Sequence, residues 1–358
     1  MSSGRAEGLA ELLADAQLDA LIVEGASNLR YLTGYTGSSG LALATADGGG
    51  VFYTDFRYET QAATEVDDVF SREIVTGELL DALATSLQGG RVGFDDGAMS
   101  VRRRERLGEL ADASVELIAA AGLPERLRAV KDEEEIRSIT AAAALVDEIY
   151  EWLFAQQLRG RTERELAVSL EHQMRVLGAS GPSFDSIVAA GTHAALPHAQ
   201  PREVPIESGV LVTFDIGARL DGYCSDCTRT VAVGEPGEHA REVYALVLEA
   251  QLAGLEAVMP GVSGPAADGA ARAVIDAGGY GERFGHGLGH GVGIDIHEAP
   301  RLSRTASEDP LVRGNVVTVE PGIYLPGELG VRIEDLVVVR DGGPEILSHF
   351  TKELLVLE

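Results

Sequence analysis

The chain has 358 residues, 45% of them hydrophobic, and carries 57 Asp plus Glu against 29 Lys plus Arg, a formal net charge of -28. That length exceeds one ordinary core and suits two domains of roughly 150 residues each. So negative a surface repels nucleic-acid phosphates and anionic lipid, which excludes both as partners, and it stays soluble where counterions screen it. Lys131 and Lys352 are the only lysines. A high-salt cytoplasm accounts for such a balance, and an acidic proteome is the alternative.

The N-terminal MSSGRAEGLAELLADAQ has no basic segment followed by an apolar core, and no stretch reaches the ~18 uninterrupted apolar residues of a membrane span. The expectation is a soluble, cytoplasmic protein. Cys224 and Cys227 are too few for a disulfide framework and fit a reducing compartment. Their C-x2-C spacing falls in a strand pattern, where residues three apart point to opposite faces, so an extended chain cannot close them on one zinc ion.

In chain order, residues up to about Ala121 alternate short apolar runs with helical patterns. Asp19 to Val23, Leu41 to Ala44, Val51 to Thr54 and Arg91 to Phe94 read as strands, and Arg5 to Ala16 and Ser100 to Leu110 as helices, together a small α/β domain over residues 1–124. Asn28 to Gly40, NLRYLTGYTGSSG, lacks the spacing and the Gly-Lys-Ser/Thr ending of a phosphate loop and reads as a turn. Leu123-Pro124-Glu125 ends this domain, and a second occupies 125–358.

The second domain opens with apolar positions stepping by three and four from Ile136 to Leu153, behind an acidic first turn from Asp132 to Glu135. Thr162 with Glu165 is a capping box for another helix, closed at Gly178. A strand from Ser186 to Ala190, a loop holding His193 and His198, and an acidic hairpin from Val210 to Val233 follow. The same order then recurs. Glu238 to Met259 is a helix, Ser263 caps another to Ala277, Phe284 to Glu298 (FGHGLGHGVGIDIHE) follows, and a second acidic hairpin spans Asn315 to Val339. Thr213-Phe214-Asp215-Ile216-Gly217 corresponds to Thr318-Val319-Glu320-Pro321-Gly322. Two copies imply a pseudo-two-fold α+β domain with a site between its halves.

The acids of the hairpins carry the chemistry. Asp215 and Asp226 lie symmetrically about Leu220-Asp221, and Glu320 and Glu334 about Gly327, so each pair is expected to sit across its hairpin as near neighbours, about 5 Å apart at Cβ. Their strand neighbours are apolar, which takes the acids into a core. Four bunched carboxylates there resist ionising unless cations neutralise them, and a pair of divalent ions does so. Oxygen ligands with one imidazole suit Mn, Co, Fe or Zn. Among His286, His290 and His297, the four-residue spacing of the first two matches an HExxH helix, but Gly287 and Gly289 disfavour a helix and no Glu follows His286. One of the three is expected to be a ligand and the others proton donors to substrate.

These motifs, with YLTGYTGSSG and YTDFRYETQA before them and FDIGA, GYCSDCTRT, GHGLGHGVGIDIHE, TVEPGIY and GVRIED in this order, resemble the M24 metallopeptidases of pita-bread fold, within them the Xaa-Pro dipeptidases (prolidases) and Xaa-Pro aminopeptidases. The resemblance spans nearly the whole chain. It implies a creatinase-type α/β N-terminal domain and a pita-bread catalytic domain. It makes Asp215, Asp226, His290, Glu320 and Glu334 the ligands of two divalent ions, Mn2+ foremost, with Glu320 also a general acid/base. It places His198 and His297 on the substrate side as catalytic donors, His286 at the proline-side wall, and Tyr324 and Arg332 at substrate-side positions beside the ligands. The implied reaction is hydrolysis of the amide preceding proline in dipeptides or short peptides, in a cytoplasmic homodimer. Other readings are a methionine aminopeptidase, which would lack the N-terminal domain, a creatinase, which would lack the intact ligands, and a metal-free binding protein of the same fold, whose ligand positions would be lost.

Overall fold

Short apolar runs punctuated by helices build the first of two units, residues up to Arg128; the second runs from Ala129 to Glu358. The computed structural model describes Ser2 to Glu358, with side chains from Gly4 onward. In the first unit the order is α1 (Ser2–Asp15), β1 (Ala20–Val23), α2 (Ala26–Thr33), β2 (Leu41–Thr45), β3 (Gly50–Asp55), α3 (Glu59–Glu65), β4 (Phe70–Val75), α4 (Leu79–Ser86), β5 (Gly90–Phe94), α5 (Val101–Leu110), β6 (Val115–Ala119) and α6 (Leu123–Arg128). The strands form one mixed sheet, β4-β3-β2-β1-β5-β6. Ile22, Tyr53, Leu83 and Leu107 are among the side chains buried on it.

The four strands expected from the sequence are the central four. The outer two escape that reading because their faces are polar: β4 buries only Phe70, and β6 has no fully buried residue, as suits edges that must not recruit further strands. NLRYLTGYTGSSG is the end of α2 and its exit, with Gly34 at φ 81 donating its N–H to the Arg30 carbonyl. Leu123-Pro124-Glu125, expected to end the domain, opens α6. Asn28 fastens that helix within the first unit, donating to Glu125 at 2.6 Å and accepting from Arg128 at 2.7 Å.

The second unit opens on α7 (Glu133–Phe154) and α8 (Glu163–Val176), each begun by a complete capping box, Asp132 with Glu135 and Thr162 with Glu165. There follow β7 (Gly181–Pro182), β8 (Ile187–Ala190), β9 (Val210–Ile216), β10 (Ala218–Leu220), β11 (Tyr223–Cys224) and β12 (Cys227–Val233). Next come α9 (Glu238–Ala257), α10 (Gly264–Ala277), β13 (Gly289–Gly291), β14 (Glu298–Leu302), β15 (Val316–Val319), β16 (Gly322–Leu325), β17 (Leu329–Arg332), β18 (Asp335–Val338), β19 (Glu345–Ile346) and β20 (Val356–Leu357). Strands β8, β9 and β12 are antiparallel neighbours, and so are β13, β15 and β18. Each triplet follows two helices, so the repeat legible in the sequence has its counterpart in strand pairing. One core joins Val146, Tyr150 and Leu170 of α7 and α8 to Phe214 and Val231. The other joins Val247 and Ala271 of α9 and α10 to Val317 and Val337. Among the described residues no helix is long and apolar enough to cross a membrane.

Candidate metal centre

The first hairpin is β9 with β12, continued by β10 and β11. Its tip is Asp221-Gly222, with φ of 46° and 77°, the two positive values of a two-residue turn that suits the strand twist. That centre lies one residue beyond the symmetry point expected from the acids. In the ladder Asp215 therefore faces Thr228, not Asp226. Asp226 precedes β12, and the same register places it opposite Gly217, one diagonal step from Asp215 on the same face. The second hairpin keeps the expected register. Val319 faces Asp335 and Gly322 faces Arg332, which sets Glu320 across from Glu334.

Cross-bonds stitch the two hairpins together. The Glu334 N–H donates to the Thr228 carbonyl at 3.1 Å, the Thr228 hydroxyl donates to Glu334 Oε2 at 2.7 Å, and Thr230 Oγ1 donates to the Arg332 carbonyl at 2.8 Å. Arg332, buried, gives Nε to Thr228 Oγ1 at 3.1 Å, Nη1 to the Tyr324 hydroxyl at 2.8 Å and Nη2 to Asp215 Oδ2 at 2.5 Å. The outcome is that oxygens of Asp215, Asp226 and Glu334 lie within 4.8 Å of one another, all buried.

The histidine stretch completes the cluster from β13. A Cβ on Gly289 would fall on the Thr318 carbonyl, and one on Gly291 on the Ala299 carbonyl, so glycine is what lets this strand close on its neighbours. Between them His290 donates Nδ1–H to its neighbour's carbonyl, Gly291 O, at 3.0 Å. That bond leaves Nε2 bare, 3.4 Å from Glu320 Oε1 and 3.6 Å from Asp226 Oδ2. Burial lowers the His290 pKa, so the imidazole offers a lone pair. His286 is held as a neutral ring too: burial lowers its pKa, Nδ1 donates to Gly287 O at 2.8 Å, and Nε2 accepts from the Tyr324 hydroxyl at 2.8 Å. The His297 ring packs 4.4 Å from that of His290.

The carboxylates are held against their own charge. Burial first, then the charges of Glu334, Asp215 and Glu320, push Asp226 well above the carboxylate range. Burial with Glu320 and Asp215 does the same to Glu334, and burial raises Glu320. Asp215 Oδ1 and Asp226 Oδ1 are buried with no hydrogen-bond partner. Orphaned oxygens among carboxylates that resist ionising are what divalent cations relieve, so the residues present fit such ions.

A cavity of about 650 Å³ opens over this cluster, lined by Asp215, Asp226, His290, Glu320, Glu334, Arg332, His286, His198 and His297 among others. Nine of the ten site residues named from the sequence thus line one cavity. The tenth, Tyr324, does not line the cavity; it sits behind Arg332 and His286, and burial raises its pKa to about 12. Sequence reasoning missed Arg301, which lines the cavity from the strand facing His290. Its signal was faint: one arginine in HEAPRL, beside a stretch read for its histidines.

Buried carboxylates with one imidazole, beneath a cavity flanked by further histidines, define a metal-dependent hydrolytic site. Comparison with known proteins makes the class specific. Residues 137–341 match the metallopeptidase family M24 and residues 5–130 the Creatinase/Prolidase N-terminal domain, and the chain belongs to that family. It is 40% identical to an uncharacterized peptidase, YqhT, of Bacillus subtilis over 98% of this chain and 99% of the other. Its fold matches an Xaa-Pro dipeptidase from Bacillus anthracis with TM-score 0.95 and 38% identity, covering 100% of both chains. An X-Pro aminopeptidase from Thermotoga maritima aligns with TM-score 0.89 and 35% identity, over 97% of this chain and 99% of that one.

Proposed function

We propose that the chain is a metal-dependent Xaa-Pro peptidase that acts on dipeptides, cutting the bond before proline. The observation that carries this is the buried cluster of Asp215, Asp226 and Glu334 with two unpartnered oxygens, facing a cavity. Asp215, Asp226, His290, Glu320 and Glu334 would hold two divalent ions, and a mostly oxygen donor set favours Mn2+. When bound, such ions polarise the scissile carbonyl and activate water.

The chain's own groups do the rest. Glu320 lines the cavity with Oε1 3.4 Å from His290 Nε2, so it is the group placed to take and return a proton beside the reacting atoms. His198 and His297 face the cavity as donors to the carbonyl oxygen. Neutral His286, fixed by Tyr324 and Gly287, offers its ring as a wall for the prolyl ring. Arg301 supplies a cation to meet the free carboxylate of a dipeptide. The test compares Ala-Pro with Ala-Pro-Ala under Mn2+: the parent should favour Ala-Pro, Arg301→Gln should raise KM for Ala-Pro alone, and failure to cut either peptide sinks the proline assignment.

We also attribute the acidic surface to a salty cytoplasm. Both lysines are spent in ion pairs, Lys131 with Glu298 at 2.9 Å and Lys352 with Asp335, and the excess of Asp plus Glu over Lys plus Arg is left to be screened by solvent ions. Tm should climb with added KCl, and a flat response counts against this reading.

A further inference from the structure

A second carboxylate outside the acidic cluster collects an unusual number of donors, and they come from the loop that carries His198. Glu163, the first residue of α8, is wholly buried. Its oxygens accept from the Ala190 N–H at 2.9 Å and from His193 Nδ1 at 2.9 Å. They also accept from the Arg202 N–H at 2.9 Å, Nε at 3.1 Å and Nη2 at 3.1 Å. Burial opposes ionisation, but the bonds from Arg202, Ala190 and His193 outweigh it and hold the carboxyl below its ordinary range. A carboxylate only accepts, so the His193 hydrogen is fixed on Nδ1.

The placement of those donors matters more than their number. Ala190 and Arg202 are the two ends of the segment containing His198, and His193 lies within it. One carboxylate therefore closes the neck of the loop. Inside, the chain keeps its shape through short turns, with Leu196 N–H on the His193 carbonyl at 3.1 Å and Ala199 N–H on the Leu196 carbonyl at 3.2 Å. At its far side Arg332 Nη1 donates to the Pro197 carbonyl at 3.4 Å while Nη2 holds Asp215. Pro197 and His198 line the cavity.

We infer that Glu163 is a positioning residue for hydrolysis: by tying both ends of the 190–202 loop, it sets His198 against the substrate. This rests on the reading of His198 as a substrate-side donor. Replacing the carboxylate by an isosteric amide turns one acceptor into an –NH2 facing N–H groups, which loosens the neck without changing volume.

The experiment compares the parent, Glu163→Gln, Arg202→Gln, His198→Ala and the Glu163→Gln/His198→Ala double variant on Ala-Pro with Mn2+. Bound metal and hydrogen exchange of residues 191–201 are read alongside. Misplacing a reacting group from a distance costs about 10²-fold, so Glu163→Gln should lower kcat by about that factor with KM little changed. Bound metal should stay at the parent level and exchange in the loop should quicken. The double variant should be no slower than His198→Ala, because the two residues act through one group.

Unchanged kcat with unchanged loop exchange overturns the inference, and so do losses that multiply in the double variant. If Glu163→Gln fails to fold, Arg202→Gln decides by the same criteria, since that side chain is 43% exposed. If the parent itself does not cut Ala-Pro, the proline reading fails, and loop exchange alone then judges Glu163.

Discussion

The two acidic hairpins are copies in order but not in register. In the second, Glu320 and Glu334 lie straight across from each other, in one continuous register from Val316 facing Val338 to Leu325 facing Leu329. In the first, the turn is centred one residue later. Asp215 faces Thr228, and the hairpin leaves its sheet after Ile216 to pair β10 with β7. The acids there are a diagonal pair, and the slot across from Asp215 goes to a threonine whose hydroxyl serves Glu334. The comparison teaches that a pseudo-symmetric site need not be built from symmetric pairs. One hairpin supplies an opposed pair, the other a staggered pair plus the hydroxyl that links them.

Breaking each hairpin should show this most strongly. Asp226→Asn and Glu334→Gln are both expected to lose bound metal, measured by elemental analysis, and to reduce kcat/KM by more than the ~10²-fold that an outlying partner costs. Retention of full metal by either variant would mean that one hairpin suffices. Arg332→Gln should cost about 10- to 100-fold in kcat/KM, because it strips donors from Asp215, Thr228 and Tyr324 at once. Arg332→Lys should not restore it, since an ammonium lacks the fork that reaches all three.

Proton linkage sharpens the comparison. The folded pKa values of Asp226 and Glu334 are raised above their ordinary 3.8 and 4.5. In the metal-free protein their contribution to stability is therefore complete below those ordinary values and is lost as pH rises through the raised ones. Metal binding needs the deprotonated forms, so it strengthens over the same rise. The stability gap between Mn-loaded and EDTA-treated protein, from denaturant unfolding, should widen as pH rises through those raised values, toward the ~2.7 kcal/mol expected at a hundredfold excess over Kd. A gap that shrinks with pH would contradict the buried, proton-competing cluster.

The smallest expected effect is at the two tips. Gly222 and Gly327 have φ of 77° and 80°, and alanine at either should cost about 1 kcal/mol by denaturant unfolding. Activity should fall more for Gly222→Ala, because the staggered pair depends on where that turn is centred.

Much of this was readable from residues in order. Capping boxes at Asp132 and Thr162, the doubled order of helices and acidic hairpins, and the wide spacing of Glu320 and Glu334 about Gly327 are local or periodic signals. The polar edge strands β4 and β6, the helix begun by Leu123-Pro124, and Arg301 carried no such signal. The first because edges suppress apolar alternation, the second because its anchor is Asn28, and the third because a lone arginine acquires meaning only from the cavity it faces.

The division follows from the range of the forces. Side-chain alternation, caps and turn residues act over a few positions, so order alone determined most of the elements, their repetition and which acids and histidines were candidates for the site. Which atoms meet depends on strand register and on bonds between residues a hundred apart in sequence, such as Thr228 with Glu334 and Arg332 with Asp215. Only the tertiary structure decided that Asp226 stands diagonal to Asp215, that Tyr324 is withdrawn behind Arg332, and that a single carboxylate, Glu163, gathers the loop of His198.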